Sequence, residues 1–139
     1  VSAICNVTVV RLQPQIALNK TSITMPRYDD TTISATFTMN GNGTITRVTT
    51  GPQSRRGYFY NAPNGNKYKI TWVSSNPEVV ILDYTDEGPA VWYSGNTLTL
   101  RVDSYNRTGS GTITITLTNT ADSRDTVDAA CQVVVIRLL

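Results

Sequence analysis

The side chains that carry most protein chemistry are sparse in this sequence, and their spacing assembles no catalytic set. There is no histidine, which removes the commonest general base and metal ligand. The two cysteines, Cys5 and Cys131, stand far apart, so neither belongs to a Cys-x-x-Cys pair that could bind zinc or exchange disulfides. We therefore expect neither an enzyme nor a bound cofactor.

The carboxylates form three loose groups in turn-like segments. They are Asp29 with Asp30, Asp83 with Asp86 and Glu87, and Asp122 with Asp125 and Asp128. Acidic residues at strand ends usually serve as solvated turn residues. The alternative is a Ca²⁺ site, which requires several oxygen ligands to converge. We expect turn residues and no metal site.

Aromatic and cationic side chains gather in two short segments, residues 51–62 and residues 92–93. This candidate binding surface consists of Arg55, Arg56, Tyr58, Phe59, Tyr60, Trp92 and Tyr93. Flat apolar rings with hydrogen-bonding tips and positive charges suit contacts with a protein or stacking on sugar rings. The alternative is that the rings cover the end of the folded core, because a run of three aromatics in a strand must point at least one ring inward.

The charge balance and the lengths of the apolar runs argue against two other kinds of partner. Twelve Lys and Arg face ten Asp and Glu, a net charge of +2. This near-balance gives no basic patch for nucleic acid. No apolar run approaches the roughly 20 residues that a membrane span requires, so we expect no membrane insertion by this segment.

Short segments of alternating apolar and polar residues must position these side chains. In residues 32–39 the alternation places Ile33, Ala35, Phe37 and Met39 on one face. Residues 67–73, 97–102, 111–117 and 129–136 alternate in the same way and are separated by turn residues. Together with residues 16–25 and 44–49 they make at least seven short strands in 139 residues, which predicts one all-β domain. The expected fold is an immunoglobulin-like β-sandwich, in which two antiparallel sheets are connected as a Greek key.

The inward faces of these strands predict the core. It should contain Phe37, Ile70, Trp72, Cys131, Val133 and Val135. Trp72 is the expected central plug between the two sheets, as a tryptophan in a central strand of a sandwich often is.

The connections between strands carry their own signals. Residues 16–25 alternate except at Asn19 and Lys20, which predicts an edge strand that shifts between two sheets. Residues 40–43, with the sequence NGNG, predict a tight hairpin that pairs residues 32–39 with residues 44–49. Residues 40–66 as a whole look like an inserted hairpin or loop.

The last strand has a copy at the start of the chain. Residues 127–139 match residues 1–13 at seven of thirteen positions, without a gap, at an offset of 126 residues. A self-similar period is typical of tandem arrays. We therefore expect residues 1–12 to be the closing strand of a preceding repeat, or else an added first strand, and residues 13–139 to be one complete domain.

The repeat bears on the cysteines. If Cys5 and Cys131 occupy the same position in consecutive units, each is a small buried side chain with a free thiol on the inward face of its own strand. The competing interpretation is that the first strand folds back beside the last and a disulfide joins them.

Five segments of the sequence resemble the bacterial immunoglobulin-like domains of group 2, the modules of invasin- and intimin-type surface proteins. They are IALNKTSITM at residues 16–25, TISATF at 32–37, ITWVSSNPEV at 70–79, GSGTITI at 109–115 and ACQVVV at 130–135. The segment WVSSNP is the most diagnostic of these. The chain departs from the family in its long residues 40–66 and 84–96 and in Asp29 and Asp30, which stand where a glycine is common.

The resemblance implies a non-catalytic, extracellular spacer module of a repetitive bacterial cell-surface or secreted protein that supports adhesion. Its partners would be neighbouring immunoglobulin-like domains. A different function is binding of a host protein or glycan through residues 51–62 with Trp92 and Tyr93. A third is decoration of a phage tail or capsid.

Overall fold

The computed structural model of the chain describes residues 1–7, 12–84 and 88–138. Within these residues the chain forms ten strands and one turn of 3₁₀ helix at Gln53–Arg55. The strands are β1 Gln15–Leu18, β2 Ser22–Pro26, β3 Asp30–Thr38, β4 Thr44–Val48, β5 Gly57–Asn61, β6 Lys67–Ser74, β7 Val91–Ser94, β8 Thr97–Asp103, β9 Gly109–Asn119 and β10 Thr126–Ile136.

The strands form two sheets that pack face to face. One sheet has four strands in the order β1-β3-β8-β7, and the other has six in the order β2-β10-β9-β6-β5-β4. This is the predicted all-β, immunoglobulin-like sandwich. One detail differs from the prediction of purely antiparallel sheets, because β2 runs parallel to β10.

The first edge strand divides between the two sheets, as its interrupted alternation predicts. β1 pairs with β3 in the four-stranded sheet, whereas β2 pairs with β10 in the other. The break falls at Asn19 and Lys20. Asn19 Oδ1 accepts a hydrogen bond from the Ser34 N–H at 2.8 Å, and Lys20 Nζ donates to the Thr32 carbonyl at 2.8 Å. These two side chains fasten the crossing segment to β3.

The hairpin predicted at residues 40–43 is wrong. β3 lies in the four-stranded sheet, and β4 pairs instead with β5 in the six-stranded sheet. Residues 40–43 therefore cross from one sheet to the other. Asn and Gly indicate where the backbone can adopt positive φ, but they do not specify which sheet the next strand joins. The inserted hairpin is β4 with β5, added to the edge of the sheet beside β6.

The core lies between the sheets and follows the alternation of the sequence. Five of the six residues expected there are buried: Phe37, Ile70, Cys131, Val133 and Val135. Trp72 is the exception and is only half-buried, which corrects its role as the central plug. The fully buried large rings are Tyr60, Tyr68 and Phe37, and the rings of Phe37 and Tyr60 are 5.6 Å apart. The hairpin strand β5 thus supplies a core ring, and Trp72 lies at the flank.

Hydroxyl groups pair across the outer faces of both sheets. Ser34 lies 3.1 Å from Thr99 and Thr36 lies 3.1 Å from Thr97, measured between side-chain oxygens. On the other sheet the hydroxyl groups of Thr118 and Thr126 are 3.2 Å apart. Cross-strand pairs of this kind add to the stability of a sheet.

Residues 1–7 lie outside the strands. The side chains of Val1, Ile4 and Val7 are exposed. Residues 8–11, which complete the predicted first strand, lie outside the described residues, as does Leu139. The assignment of residues 1–12 to a preceding repeat stays a prediction.

The two thiols are free, and only Cys131 is buried. The disulfide alternative is therefore absent from this structure. Cys5 is exposed in this chain, so its burial on the inward face of a strand in a preceding unit stays a prediction. A strand buries one face only when other strands surround it, and residues 1–7 have no strand beside them.

Candidate functional site: an aromatic groove beside the inserted hairpin

Two of the candidate binding residues are buried and cannot contact a ligand. Tyr60 is fully buried, and its hydroxyl donates to the Asn42 carbonyl at 2.9 Å. Burial raises the pKa of Tyr60 above its ordinary value. Phe59 points to the opposite face of β5 and is 3% exposed, because Lys67 Nζ lies over its ring, 4.6 Å from the centroid. Both residues serve the packing of the hairpin.

The two arginines of the candidate surface belong to the loop that precedes β5. Arg55 and Arg56 are exposed. Arg56 Nε donates to the Gly51 carbonyl at 2.8 Å, and its Nη1 donates to Gln53 Oε1 at 3.3 Å. The Arg56 side chain therefore stabilises the loop to which it belongs.

Trp92 and Tyr93 lie on opposite faces of β7. Trp92 pairs with Thr99 and Tyr93 pairs with Leu98, a core residue. Since neighbouring residues of a strand point to opposite faces, Tyr93 lies on the inner side and Trp92 on the outer side. The seven candidate residues therefore do not form one surface, which corrects that prediction.

Three other aromatic contacts define a different site. The rings of Tyr58 and Trp72 are 5.4 Å apart with an interplanar angle of 59°, and those of Tyr58 and Tyr93 are 5.9 Å apart at 83°. The Arg47 guanidinium carbon lies 5.3 Å from the Tyr58 centroid. Such tilted ring pairs and cation–π contacts are favourable and fix the rings relative to one another.

The register of the sheet places these residues together. Arg47 pairs with Tyr58 across β4 and β5, and Tyr58 pairs with Ile70 across β5 and β6. All three lie on the inner face of the six-stranded sheet. The inserted hairpin extends this face past the core, so that Tyr58 and Trp72 remain partly exposed at its margin.

Two adjoining cavities open over these rings. One, of about 330 Å³, is lined by Arg47, Tyr58, Trp72, Leu82, Asp83, Pro89, Ala90 and Val91. The other, of about 250 Å³, shares Trp72, Leu82 and Asp83 and extends along Val73, Ser74 and Pro77. We refer to the two cavities together as the aromatic groove. Its volume is in the range of pockets that hold small ligands.

A buried arginine positions one wall of the groove. Arg101 Nε bonds Asp103 Oδ2 at 3.0 Å, and both side chains are almost fully buried. The same guanidinium donates to the carbonyls of Tyr84 and Pro89. The backbone N–H of Arg101 donates to the Ala90 carbonyl at 2.8 Å. These bonds hold the segment that runs into β7 against the sheet. Asp86 and Glu87, part of one predicted carboxylate group, lie outside the described residues.

Sequence reasoning missed Arg47, assigned Asp83 to a group of turn carboxylates and misplaced Trp72. A signal for Arg47 was available, because it alternates with Ile45 and so occupies an inward position of β4. A charged residue at an inward position indicates either an ion pair or an open margin of the sheet. For Asp83 the sequence offers no comparable signal, since its position depends on the long connection from β6 to β7.

The groove offers aromatic rings, one guanidinium and one carboxylate, which are groups suited to binding a ligand. Within the described part of the chain, no cluster of three or more His, Cys, Asp or Glu could hold a metal ion. Nor does a helix in the described ranges have the length and apolar character needed to cross a membrane.

The fold defines a class of domain: an immunoglobulin-like sandwich with a hairpin added to one edge. No protein-family model matches the chain. No curated protein matches its sequence.

Among solved structures, the chain is similar to parts of surface-layer protein SbsC. Domains 4 and 5 of that protein match at a TM-score of 0.52 and 17% identity, over 88% of this chain and 51% of that one. Domains 1–6 match at a TM-score of 0.53 and 16% identity, over 95% of this chain and 14% of that one. The chain thus spans about half the length of the first structure and a small part of the second. At these identities the similarity shows the fold alone.

Proposed function

We propose that this domain is a non-catalytic structural unit of a bacterial cell-surface protein, one of several immunoglobulin-like domains in tandem. The similarity in fold to parts of a surface-layer protein supports this proposal. The resemblance to bacterial immunoglobulin-like domains of group 2 supports it independently. In such a unit the domain holds other domains away from the cell envelope.

The observation that carries the proposal is that the inward-facing residues of β10 recur near the start of the chain. Five of the seven matches are Val127, Ala129, Cys131, Val133 and Val135, the residues of β10 that face the core. None of the outward-facing residues of β10 is identical to the residue aligned with it in residues 1–10. Residues 1–9 thus carry the inward pattern of a closing strand, which would be buried if a preceding unit surrounded it.

A longer protein tests the tandem arrangement. The chain would be extended upstream by one unit of the natural gene, and Cys5 reactivity would be compared with that in the present chain. We expect the exposed Cys5 to become as unreactive as Cys131, and residues 1–7 to gain protection from hydrogen exchange. A Cys5 that stays reactive in the extended protein would contradict the proposal.

The location is tested on intact cells. Antibodies against the domain should label unpermeabilised cells, and external protease should remove the label. Labelling that requires permeabilisation would contradict a surface location. A cytoplasmic protein expressed in the same cells is the control for leakage.

A second function, glycan binding, is favoured by the aromatic groove. Tyr58 and Trp72 offer ring surfaces for the apolar face of a sugar, and Arg47 with Asp83 offers groups for its hydroxyls. We propose a sugar ring as the occupant, because this mixture of stacking and hydrogen-bonding groups is complementary to it.

The two tryptophans provide a matched test of glycan binding. Trp72 lines the groove, whereas Trp92 is exposed on the opposite side of the four-stranded sheet. On a glycan array, Trp72→Ala and Asp83→Asn should reduce binding and Trp92→Ala should not. A wild-type protein that retains no glycan would exclude this function. Binding that depends on Trp92 alone would place the site elsewhere.

A further inference from the structure

The first and last parts of the domain are joined by a parallel strand pair. β2 lies beside β10 in the register Ser22 with Gln132 through Pro26 with Ile136. The Gln132 N–H donates to the Thr21 carbonyl at 2.9 Å at one end of this pairing. At the other end the Arg27 N–H donates to the Ile136 carbonyl at 3.1 Å. We refer to this pairing as the terminal ladder.

The chain enters and leaves the sandwich at opposite ends. β1 begins beside the end of β3, where Gln15 pairs with Thr38. β2 follows β1 in the same direction and ends level with Ile136, the last residue of β10. A pull on the two ends of the chain therefore draws β2 towards the entry end and β10 towards the exit end.

Under that pull the two strands of the terminal ladder must slide past one another along their length. The hydrogen bonds of a parallel pair are evenly spaced and slant from one strand to the other, so sliding of the strands loads all of them at the same time. When two strands are instead pulled apart at one end, the bonds break one after another. The first arrangement requires a larger force, since several bonds must fail together.

We propose that the terminal ladder is a mechanical clamp, which keeps the domain folded when force is applied along the chain. This inference rests on the proposed function in one respect, namely that neighbouring domains transmit load to both ends. It adds a specific element, the β2–β10 pair, to that function.

Side chains on the inner face of the ladder reinforce it. Met25 pairs with Val135 and Ile23 with Val133, and all four are buried in the core. Sliding by one residue would turn these side chains outward. Burial on this face also limits the access of water to the ladder's hydrogen bonds. The ladder therefore resists sliding through packing as well as through its backbone.

The first test compares two directions of pulling on the same protein by single-molecule force spectroscopy. In one, handles are attached to the two ends of the full chain. In the other, handles are attached at Thr108→Cys and at the C-terminal end, in a Cys5→Ser background. Gly109 pairs with Val135, so this second geometry separates β9 from β10 one bond at a time. We expect the end-to-end geometry to require the clearly higher unfolding force.

The second test uses two proline substitutions in β10. The Gln132 N–H points to β2, and because N–H direction alternates along a strand, the Val134 N–H points to β2 as well. Val134→Pro therefore removes a bond of the ladder. Ala130→Pro is the matched control, since Ala130 is also exposed, also pairs with β9 and lies two residues outside the ladder.

Val134→Pro should lower the end-to-end unfolding force more than Ala130→Pro at comparable thermal stability. Loss of one bond predicts about a fivefold faster unfolding under load. Equal forces in the two pulling geometries would overturn the proposal, as would equal losses in the two proline variants. If Val134→Pro fails to fold, the comparison of geometries on the Cys5→Ser protein still decides. These outcomes are independent of the cell-surface and cysteine tests, so failure of the clamp and failure of the proposed function are distinguishable.

Discussion

At the scale of single residues, a buried polar group connects the ends of three strands. The Tyr68 hydroxyl donates to Asp125 Oδ2 at 2.7 Å, and Asn119 Nδ2 donates to the same oxygen at 3.1 Å. All three residues are buried. Buried carboxyl groups are stable only when hydrogen bonds replace the lost water. This cluster therefore holds the turn between β9 and β10 against β6.

Removal of one donor from this cluster should destabilise the fold. Tyr68→Phe keeps the ring and removes the hydroxyl, so Asp125 loses a hydrogen bond without creation of a cavity. We expect the free energy of unfolding to fall by about 1–3 kcal/mol. Urea denaturation measures it. Tyr105→Phe, at a tyrosine that is 54% exposed, is the control and should have little effect. Equal stability of both variants would contradict the role of Asp125.

The two cysteines should differ sharply in reactivity. Burial raises the pKa of the Cys131 thiol, and the positive charge of Lys20 opposes this only in part. The reactive form is the thiolate. A thiol reagent at neutral pH should therefore modify Cys5 quickly and Cys131 only after unfolding. Mass spectrometry of native and denatured protein checks both rates. Fast modification of Cys131 in the native state would be the opposite result.

The raised pKa of Cys131 also predicts how stability depends on pH. Below about pH 8.5 the thiol is protonated in both states, and its contribution to stability is fully present. Above that pH the unfolded chain releases the proton first, so the free energy of unfolding falls as pH rises. Denaturation at about pH 7.5 and 9.5 should show this loss, and Cys131→Ala should reduce it. If the free energy of unfolding of Cys131→Ala falls by the same amount, the pH dependence comes from other groups, such as Tyr60.

At the scale of the elements, the connection from β3 to β4 decides where the inserted hairpin docks. Gly43 has a φ of +67°, and a Cβ atom there would lie 2.4 Å from the Asn61 carbonyl oxygen. The backbone of β5 therefore approaches this turn too closely for any side chain. Glycine at residue 43 therefore lets the chain cross between the sheets without displacing β5.

A pair of glycine substitutions separates this close approach from backbone strain. Gly43→Ala and Gly95→Ala both place alanine at positive φ, but a Cβ at Gly95 would meet nothing within 4 Å. Both should lose about 1 kcal/mol through strain. Gly43→Ala should lose more, because β5 must move. The free energies of unfolding of the two variants check this, and an equal loss would contradict the predicted clash.

The elements also show what the sequence could predict. The break at Asn19 and Lys20 correctly indicates a strand that changes sheet, because a local interruption of alternation has a local cause. The partner of β4 was predicted wrongly, because pairing depends on contacts between distant segments. Trp72 was placed in the core for a similar reason. The alternation correctly places Trp72 on the inner face of its sheet. Whether a residue on that face is buried depends on how far the opposite sheet extends over it.

The candidate site was less predictable than the fold. The sequence predicts Tyr58 and Tyr93 as part of one binding surface, and the two rings do contact one another. Their partners Trp72 and Arg47 come from other strands, and only the register of β4, β5 and β6 brings them together. A site built across strands is therefore hidden from patterns that are read along the chain.

At the scale of the whole molecule, the described start of the chain contributes little to the sandwich. Residues 1–7 are exposed and outside the strands, whereas Pro14 is buried. Deletion of residues 1–12 should change the free energy of unfolding by no more than about 0.5 kcal/mol, the usual range for exposed positions. Calorimetry of the two proteins measures it. A large loss would show that the first segment belongs to this domain and would contradict the predicted boundary.

The paired hydroxyl groups on the outer faces have a consequence for the environment that the domain tolerates. Salt weakens attraction between exposed charges but leaves bonds between uncharged groups almost intact. Ser34 with Thr99, Thr36 with Thr97 and Thr118 with Thr126 join strands without any charge. The strength of these contacts should therefore be nearly the same in fresh water and in brine.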